Sequence, residues 1–242
     1  MIGERNMIPK VIHYCWFGGK PLPYSVKQCI KSWRKYCPDY EIKQWNESNY
    51  DVNSHPFMAT AFKNGRWAFV SDYARLDLIN RYGGFYMDTD VELKKSLNVF
   101  QDCDCFFAMH QKTPLIATGL GFGAAPGHPA VKAMLAEYDG LIYSDEEQKK
   151  FVCPDLNTRA LAPNGLPESN DIFELCGARV YPPRYCDPVR PGNDTENLIC
   201  QDTISIHHYS ATWMSKRYQF KRALIRLIGV ERIHKIKKLI HK

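Results

Sequence analysis

Along the first ninety residues, short apolar runs alternate with stretches of helical periodicity. KVIHYCWF (10–17) is a compact β-rich run, closed by Gly18-Gly19, and predicts a strand. YSVKQCIKSWRKY (24–36) places Val26, Cys29, Ile30 and Trp33 on one helical face, and Pro38 stops it. YEIKQWN (40–46) alternates as a second strand. Strand, helix, strand at the start of a chain predicts a nucleotide-binding α/β unit. RWAFVSDYARLDLINRYGG (66–84) predicts a helix with Gly83 as a left-handed cap. FYMDTD (85–90) predicts a strand directly after it. CFFAMH (105–110) and ATGLGFGAA (117–125) predict further strands, and HPAVKAMLAEYDGLI (128–142) an amphipathic helix. Residues 151–200 are rich in Pro, Asn and Gly and poorly periodic, which predicts loops and short elements of the kind that carry specificity. TISIHHYSATW (203–213) predicts a final strand leading into a loop. The last stretch has apolar residues at 220, 223, 224, 227 and 228 and again at 233, 236, 239 and 240, with Lys and Arg on the other face; Gly229 divides it into two short helices.

The 242 residues, 45% of them hydrophobic, suffice for one large α/β domain with a real core. The expected division is a catalytic domain over 1–215 and a basic amphipathic helical segment over 216–242. No run approaches the roughly 18 apolar residues of a membrane span, and MIGERNMIPK lacks a signal-peptide core. Nine cysteines without a CxxC pair argue for reduced thiols rather than a zinc or disulfide framework. The expected location is cytoplasmic. Net charge is +6, yet residues 216–242 hold ten Lys or Arg against one acid, Glu231, so the body is mildly acidic. A solvated tail, nucleic acid, a protein partner and a membrane surface compete as explanations. The strong apolar face argues against the first, and the acidic body and missing recognition motif against nucleic acid. The expectation is peripheral contact with the inner face of the cytoplasmic membrane through 216–242.

Within GGFYMDTDVEL (83–93), Asp88 and Asp90 lie two apart. In a strand such residues point the same way, and two converging carboxylates form a hard oxygen site for Mg²⁺ or Mn²⁺ that can in turn hold a diphosphate. An acidic turn is the competing reading. Asp72 and Arg75, three apart on the preceding helix, share a face. They form either a surface ion pair, worth at most about 1 kcal/mol, or a pair aimed into a site. Trp16, at the end of the first strand, is placed to stack on a nucleobase or to pack in a core, and Gly18-Gly19 lets a ligand approach the backbone.

IPKVIHYCWFGGKPLP, SDYARLDLINRYGGFYMDTDVEL and SIHHYSATW together resemble family 32 glycosyltransferases, the GT-A-fold group that includes capsular-polysaccharide and yeast mannosyl transferases, with glucosylating toxins as more distant relatives. The match covers roughly residues 8–213. It implies an α/β GT-A fold, a Rossmann-like nucleotide-binding half on a mixed central sheet, and a metal-dependent, retaining hexosyltransferase in surface polysaccharide synthesis. It implies Trp16, Phe17, Gly18, Asp72, Arg75, Tyr86 and Asp88 on the donor, with Trp16 on the base and Asp72 and Arg75 on the sugar. It implies Asp72, Arg75, Asp88 and Asp90 as the catalytic set. Asp88 and Asp90 hold Mn²⁺ or Mg²⁺ together with His207 or His208, His207 being preferred because Ser210 follows it by three; Ser210 is a further candidate. The donor the resemblance implies is a nucleoside-diphosphate sugar, uridine ahead of guanosine, and the acceptor it implies is a saccharide, expected to be lipid-linked. No nucleophile for a double displacement stands out. A Gly-Pro stretch common in the acceptor half of such enzymes is absent.

Two other functions fit parts of the pattern. FYMDTDVE superficially resembles the DxDx[T/V] strand of haloacid-dehalogenase phosphatases, but Glu92 occupies the fifth position and the motif lies far from the start of the chain. The other is a sugar-nucleotide-binding protein of the same fold that has lost turnover; the intact Asp72, Arg75, Asp88, Asp90 and a candidate histidine argue against it.

Overall fold

The computed structural model describes residues 7–111, 113–167, 169–190 and 195–210. The basic tail expected over 216–242, and the end of the strand expected over 203–213, lie outside the described residues. Among those described, the order is β1 (Val11–Cys15), α1 (Tyr24–Tyr36), β2 (Glu41–Trp45), α2 (Pro56–Lys63), α3 (Trp67–Tyr82), β3 (Gly84–Tyr86), β4 (Val91–Leu93), β5 (Cys105–Ala108), β6 (Phe122–Ala124), α4 (Pro129–Ala136), α5 (Cys153–Leu161), β7 (Phe173–Leu175), β8 (Ala178–Tyr181), α6 (Pro183–Cys186) and β9 (Ser205–His207).

Seven strands form one mixed sheet in the order β2-β1-β3-β6-β5-β8-β7, and β4 pairs with β9 in a separate two-stranded ribbon. β1 is parallel to both β2 and β3, as strands joined through crossover helices must be. β6 runs antiparallel to β3 and β5, while β5 and β8 are parallel. Successive strand residues alternate between two cores, as the pleat requires. Phe85 and Phe106 pack with Val26, Ile30 and Trp33 of α1. Tyr86 and Phe107 pack with Val70, Ala74 and Leu78 of α3. Trp33 is fully buried, and its indole Nε1 donates to the Val91 carbonyl at 2.8 Å. Ser32 Oγ accepts from Leu93 N at 2.9 Å, so α1 fastens β4, the strand that follows the acidic pair.

The double glycine makes the turn from α3 into β3 possible. Gly83 adopts φ 64°, ψ −166°, a region open essentially to glycine alone rather than the left-handed helical cap the sequence suggested. A Cβ there would stand 2.6 Å from Pro126 Cδ and 2.9 Å from its nitrogen. The Gly83 carbonyl accepts from buried His13 Nε2 at 3.1 Å, and His13 Nδ1 accepts from Trp45 Nε1 at 2.9 Å. Burial pushes that imidazole down to about 4, so it stays neutral and joins β1, β2 and the α3 terminus.

Several elements differ from expectation. α2 was not anticipated, although His55 accepting from Phe57 N and Pro56 in the first turn are a start signal. α4 stops at Ala136, where Tyr138 N turns to the Leu135 carbonyl. α5 lies inside the stretch expected to be loops and short elements, with Pro154 in its first turn. The strand expected through 90 ends at Tyr86. The last strand covers only 205–207. All nine cysteines are free thiols and six are buried. No helix among the described residues is long and apolar enough to cross a membrane.

Candidate active site

A cavity of about 280 Å³ opens where β1, α3 and the turn after β3 meet. β1 and the residues after it contribute Cys15, Trp16, Phe17 and Lys20. α3 contributes Trp67, Ala68, Ser71 and Arg75, one helical face at i, i+4 and i+8. Tyr86 and Asp88–Asp90 form the far wall with His207 and Tyr209.

The two aspartates occupy a turn, not a strand. Val91 N donates to the Asp88 carbonyl at 3.0 Å and closes it. The same-face argument from strand geometry therefore does not apply, yet the carboxylates converge, because tertiary contacts aim them. Asp88 Oδ1 sits 3.1 Å from Arg75 Nη2 and accepts from Tyr86 Oη at 3.2 Å. Asp90 Oδ1 is 3.0 Å from His207 Nε2, and its Oδ2 accepts from Ser210 N at 2.6 Å. β9 brings His207 into place by pairing with β4, with His207 opposite Val91. Asp88, Asp90 and His207 each offer one ligand atom, all within 4.8 Å of one another. Two carboxylate oxygens and one imidazole nitrogen suit a hard divalent cation, and the nitrogen favours Mn²⁺ over Mg²⁺. His207 Nδ1 is buried without a hydrogen-bond partner among the described residues.

The charges are unevenly held. Burial works against ionising Asp90, but the His207 charge and hydrogen bond, with the Ser210 N–H, hold it well below the usual carboxylate range. Burial likewise opposes charge on His207, and Asp90 raises it nonetheless. Asp88 is pushed up by burial, Arg75 opposing and Asp90 adding.

Asp72 and Arg75 form a buried ion pair at 2.9 Å, with side chains only 13% and 6% exposed, which excludes the surface-pair reading. Arg75 Nε also donates to the Ser71 carbonyl at 3.2 Å, and the guanidinium lies 5.0 Å from the Tyr86 ring centroid. Behind it, Asn157 Nδ2 donates to Thr118 Oγ1 at 3.1 Å and to Cys153 Sγ at 3.2 Å. This clamp seats the 118–120 turn so close that a Cβ on Gly119 would lie 2.5 Å from Asp88 Oδ2.

The structure thus gathers Trp16, Phe17, Arg75, Tyr86, Asp88, Asp90 and His207 around one cavity. Trp16 is fixed by its Nε1 bond to the Lys20 carbonyl at 2.6 Å. Phe17 is largely buried and packs edge-on against Tyr50. Gly18 lies behind Trp67, its N–H directed at Glu47, and Asp72 sits behind Arg75 rather than on the wall. His208 points away and bonds Glu92 at 3.0 Å. Ser210 meets Asp90 through its backbone N–H. Sequence reasoning missed Trp67, Ser71, Gly119, Asn157 and Tyr209. The spacing of Trp67, Ser71 and Arg75 carried the signal for the first two; nothing local marked the other three.

Residues 23–107 match the family described as "Glycosyltransferase sugar-binding region containing DXD motif". An uncharacterized glycosyltransferase of Acanthamoeba polyphaga mimivirus is 24% identical over 131 residues, 51% of this chain and 52% of that protein. Inositol phosphoceramide mannosyltransferase 1 of Schizosaccharomyces pombe is 27% identical over 143 residues, 52% of this chain and 41% of that protein. The chain spans about half or less of the length of these curated relatives. Among solved structures, PaToxG glycosyltransferase superposes with a TM-score of 0.55 at 18% identity, covering 66% of this chain and 70% of that one, which establishes a shared fold. The phosphatase alternative falls with these matches. The chain shares the GT-A fold, and its residues 23–107 match the DXD glycosyltransferase sugar-binding region.

Proposed function

We propose that this protein is a metal-dependent, retaining glycosyltransferase that moves a hexose from a nucleoside diphosphate sugar to a saccharide acceptor. The observation that carries the reading is the convergence of Asp88, Asp90 and His207 within 4.8 Å on the wall of a cavity that also holds Arg75 and Trp16. Asp88, Asp90 and His207 would hold the cation, Mn²⁺ or Mg²⁺, which would supply positive charge to the departing diphosphate. Trp16 offers an indole face to the base. Arg75 reaches the cavity wall and keeps Asp72 and Asp88 aligned for the donor. The sugar's bond to the diphosphate oxygen breaks, a bond from the anomeric carbon to the acceptor oxygen forms on the same face, and the acceptor proton passes to the leaving diphosphate.

Uridine is the proposed base, ahead of guanosine. The acceptor is proposed to be lipid-linked, within surface or capsular polysaccharide synthesis at the inner face of the cytoplasmic membrane. The fission-yeast relative is named for a lipid, inositol phosphoceramide, and the basic, apolar-striped sequence of 216–242 suits an anionic bilayer. Co-sedimentation of the full chain with phosphatidylserine vesicles, lost at high salt, is the expected result; no sedimentation at low salt sinks the membrane reading.

Thermal-shift titration with UDP, GDP and their sugar conjugates, each with Mn²⁺ or chelator, tests the core of the proposal. One nucleotide is expected to raise the melting midpoint only with metal, and Asp90→Ala to erase the effect. Binding of neither nucleotide would refute the reading. Metal-dependent binding with no hydrolysis or transfer of any donor would favour the non-catalytic alternative.

A further inference from the structure

We propose that Tyr209 is a positioning residue, latched to buried Asp187 through its hydroxyl, so that a left-handed turn carries both the His207 ring and the Ser210 N–H onto Asp90. The inference rests on reading Asp88, Asp90 and His207 as the cation site.

Tyr209 has φ 49°, one of two non-glycine residues with positive φ among those described. A bulky residue there is strained, and such strain persists only where surrounding contacts over-determine it. Here the contacts are specific. The Tyr209 hydroxyl donates to Asp187 Oδ1 at 2.7 Å. Asp187 is fully buried, and its Oδ2 accepts from Gln111 N at 2.9 Å. Its own N–H is tied to the Pro183 carbonyl of α6 at 2.8 Å, so the carboxylate is a fixed anchor. The Arg190 guanidinium lies 5.3 Å from the Tyr209 ring centroid. The ring in turn packs edge-on against the His207 imidazole, centroids 4.1 Å apart, and forms part of the cavity wall.

The turn has a geometric consequence. His207 leaves β9 with Nε2 at Asp90 Oδ1, and His208 N–H donates to the Asp90 carbonyl at 2.9 Å. Reversal at 209 then returns Ser210 N–H to Oδ2 of the same carboxylate. Residues 207, 208 and 210 therefore all close on Asp90, around a tyrosine fixed at its hydroxyl.

Mn²⁺ titrated calorimetrically into the full chain, alone and with UDP, reads the latch without activity. Tyr209→Phe keeps the ring against His207 and deletes only the hydroxyl. Loss of a hydrogen bond to a carboxylate is expected to weaken Mn²⁺ binding about tenfold, and the buried Asp187 oxygen left without its donor also lowers the melting midpoint in chelator. Asp187→Ala, which also removes the acceptor of Gln111 N, should weaken Mn²⁺ binding at least as much, and adding Tyr209→Phe to it should cost nothing further, since the Tyr209–Asp187 bond is already gone. Asp187→Asn, whose amide oxygen still accepts from Tyr209 while its NH2 meets the Gln111 N–H, should recover part of the affinity lost in Asp187→Ala. Wild-type Mn²⁺ affinity in Tyr209→Phe, with Asp90→Ala abolishing binding, overturns the latch alone. So does an Mn²⁺ affinity of Asp187→Asn no higher than that of Asp187→Ala. Undiminished Mn²⁺ binding by Asp90→Ala overturns the cation site and the latch with it.

Discussion

Asp72→Asn is expected to make the protein more stable, and only at neutral and alkaline pH. Burial, opposed by Arg75 and reinforced by Asp88, pushes the Asp72 carboxyl up to about 6 from its usual 3.8. A folded-state value above the unfolded one means that the native protein binds this proton more tightly. The contribution to stability is then full below the unfolded value and is lost as pH rises through the folded one. At about 1.4 kcal/mol per pH unit, carrying the ionised Asp72 costs the fold about 3 kcal/mol above pH 7, trimmed toward 2 by the 13% of the side chain that solvent reaches. Asparagine has the shape of the protonated acid and keeps an oxygen for Arg75. Urea denaturation of both proteins in chelator, from pH 4 to 8, measures the difference directly. The two should agree within about 0.5 kcal/mol near pH 4, and the variant should lead by about 2–3 kcal/mol at pH 8. A variant less stable than wild type at pH 8, or a difference that does not change with pH, refutes the reasoning. Under the proposed function the same substitution lowers donor affinity, the usual exchange of stability for a charged site.

Two glycine substitutions probe the site's close contacts. Gly119→Ala places a methyl 2.5 Å from Asp88 Oδ2 and 3.2 Å from Arg75 Nη1. It should destabilise by about 1–3 kcal/mol and, by displacing Asp88, reduce Mn²⁺-dependent nucleotide binding about tenfold or more; a wild-type metal response in thermal shift would show that Asp88 relaxes freely. Gly83→Ala meets both a forbidden backbone region and Pro126, and should cost about 2–4 kcal/mol in urea denaturation, a loss under 0.5 kcal/mol being the result against it.

Local rules carried the sequence a long way. β1, α1, β2 and α3 follow from patterns within each segment, because helical and strand periodicities report which face is buried. Asp72 and Arg75 were legible as neighbours for the same reason: three residues on a helix is a fixed distance. α2 and α5 escaped because their signals, a proline in the first turn of a short helix, are weak beside the loop-like composition around them. The acidic pair was recognised for the right residues on the wrong local geometry, since whether 87–90 continues a strand or turns depends on the α1 contacts that hold β4.

What the sequence alone determined is the set of charged and aromatic side chains and the α/β order that brings β1 and α3 together. Which histidine meets the aspartates follows from long-range pairing, β9 with β4 across more than a hundred residues. The tertiary structure alone set Asn157 against Thr118 and gave Tyr209 its positive φ. Local propensity is a property of neighbours in the chain; the convergence of carboxylates against their mutual repulsion is set by partners that only folding supplies.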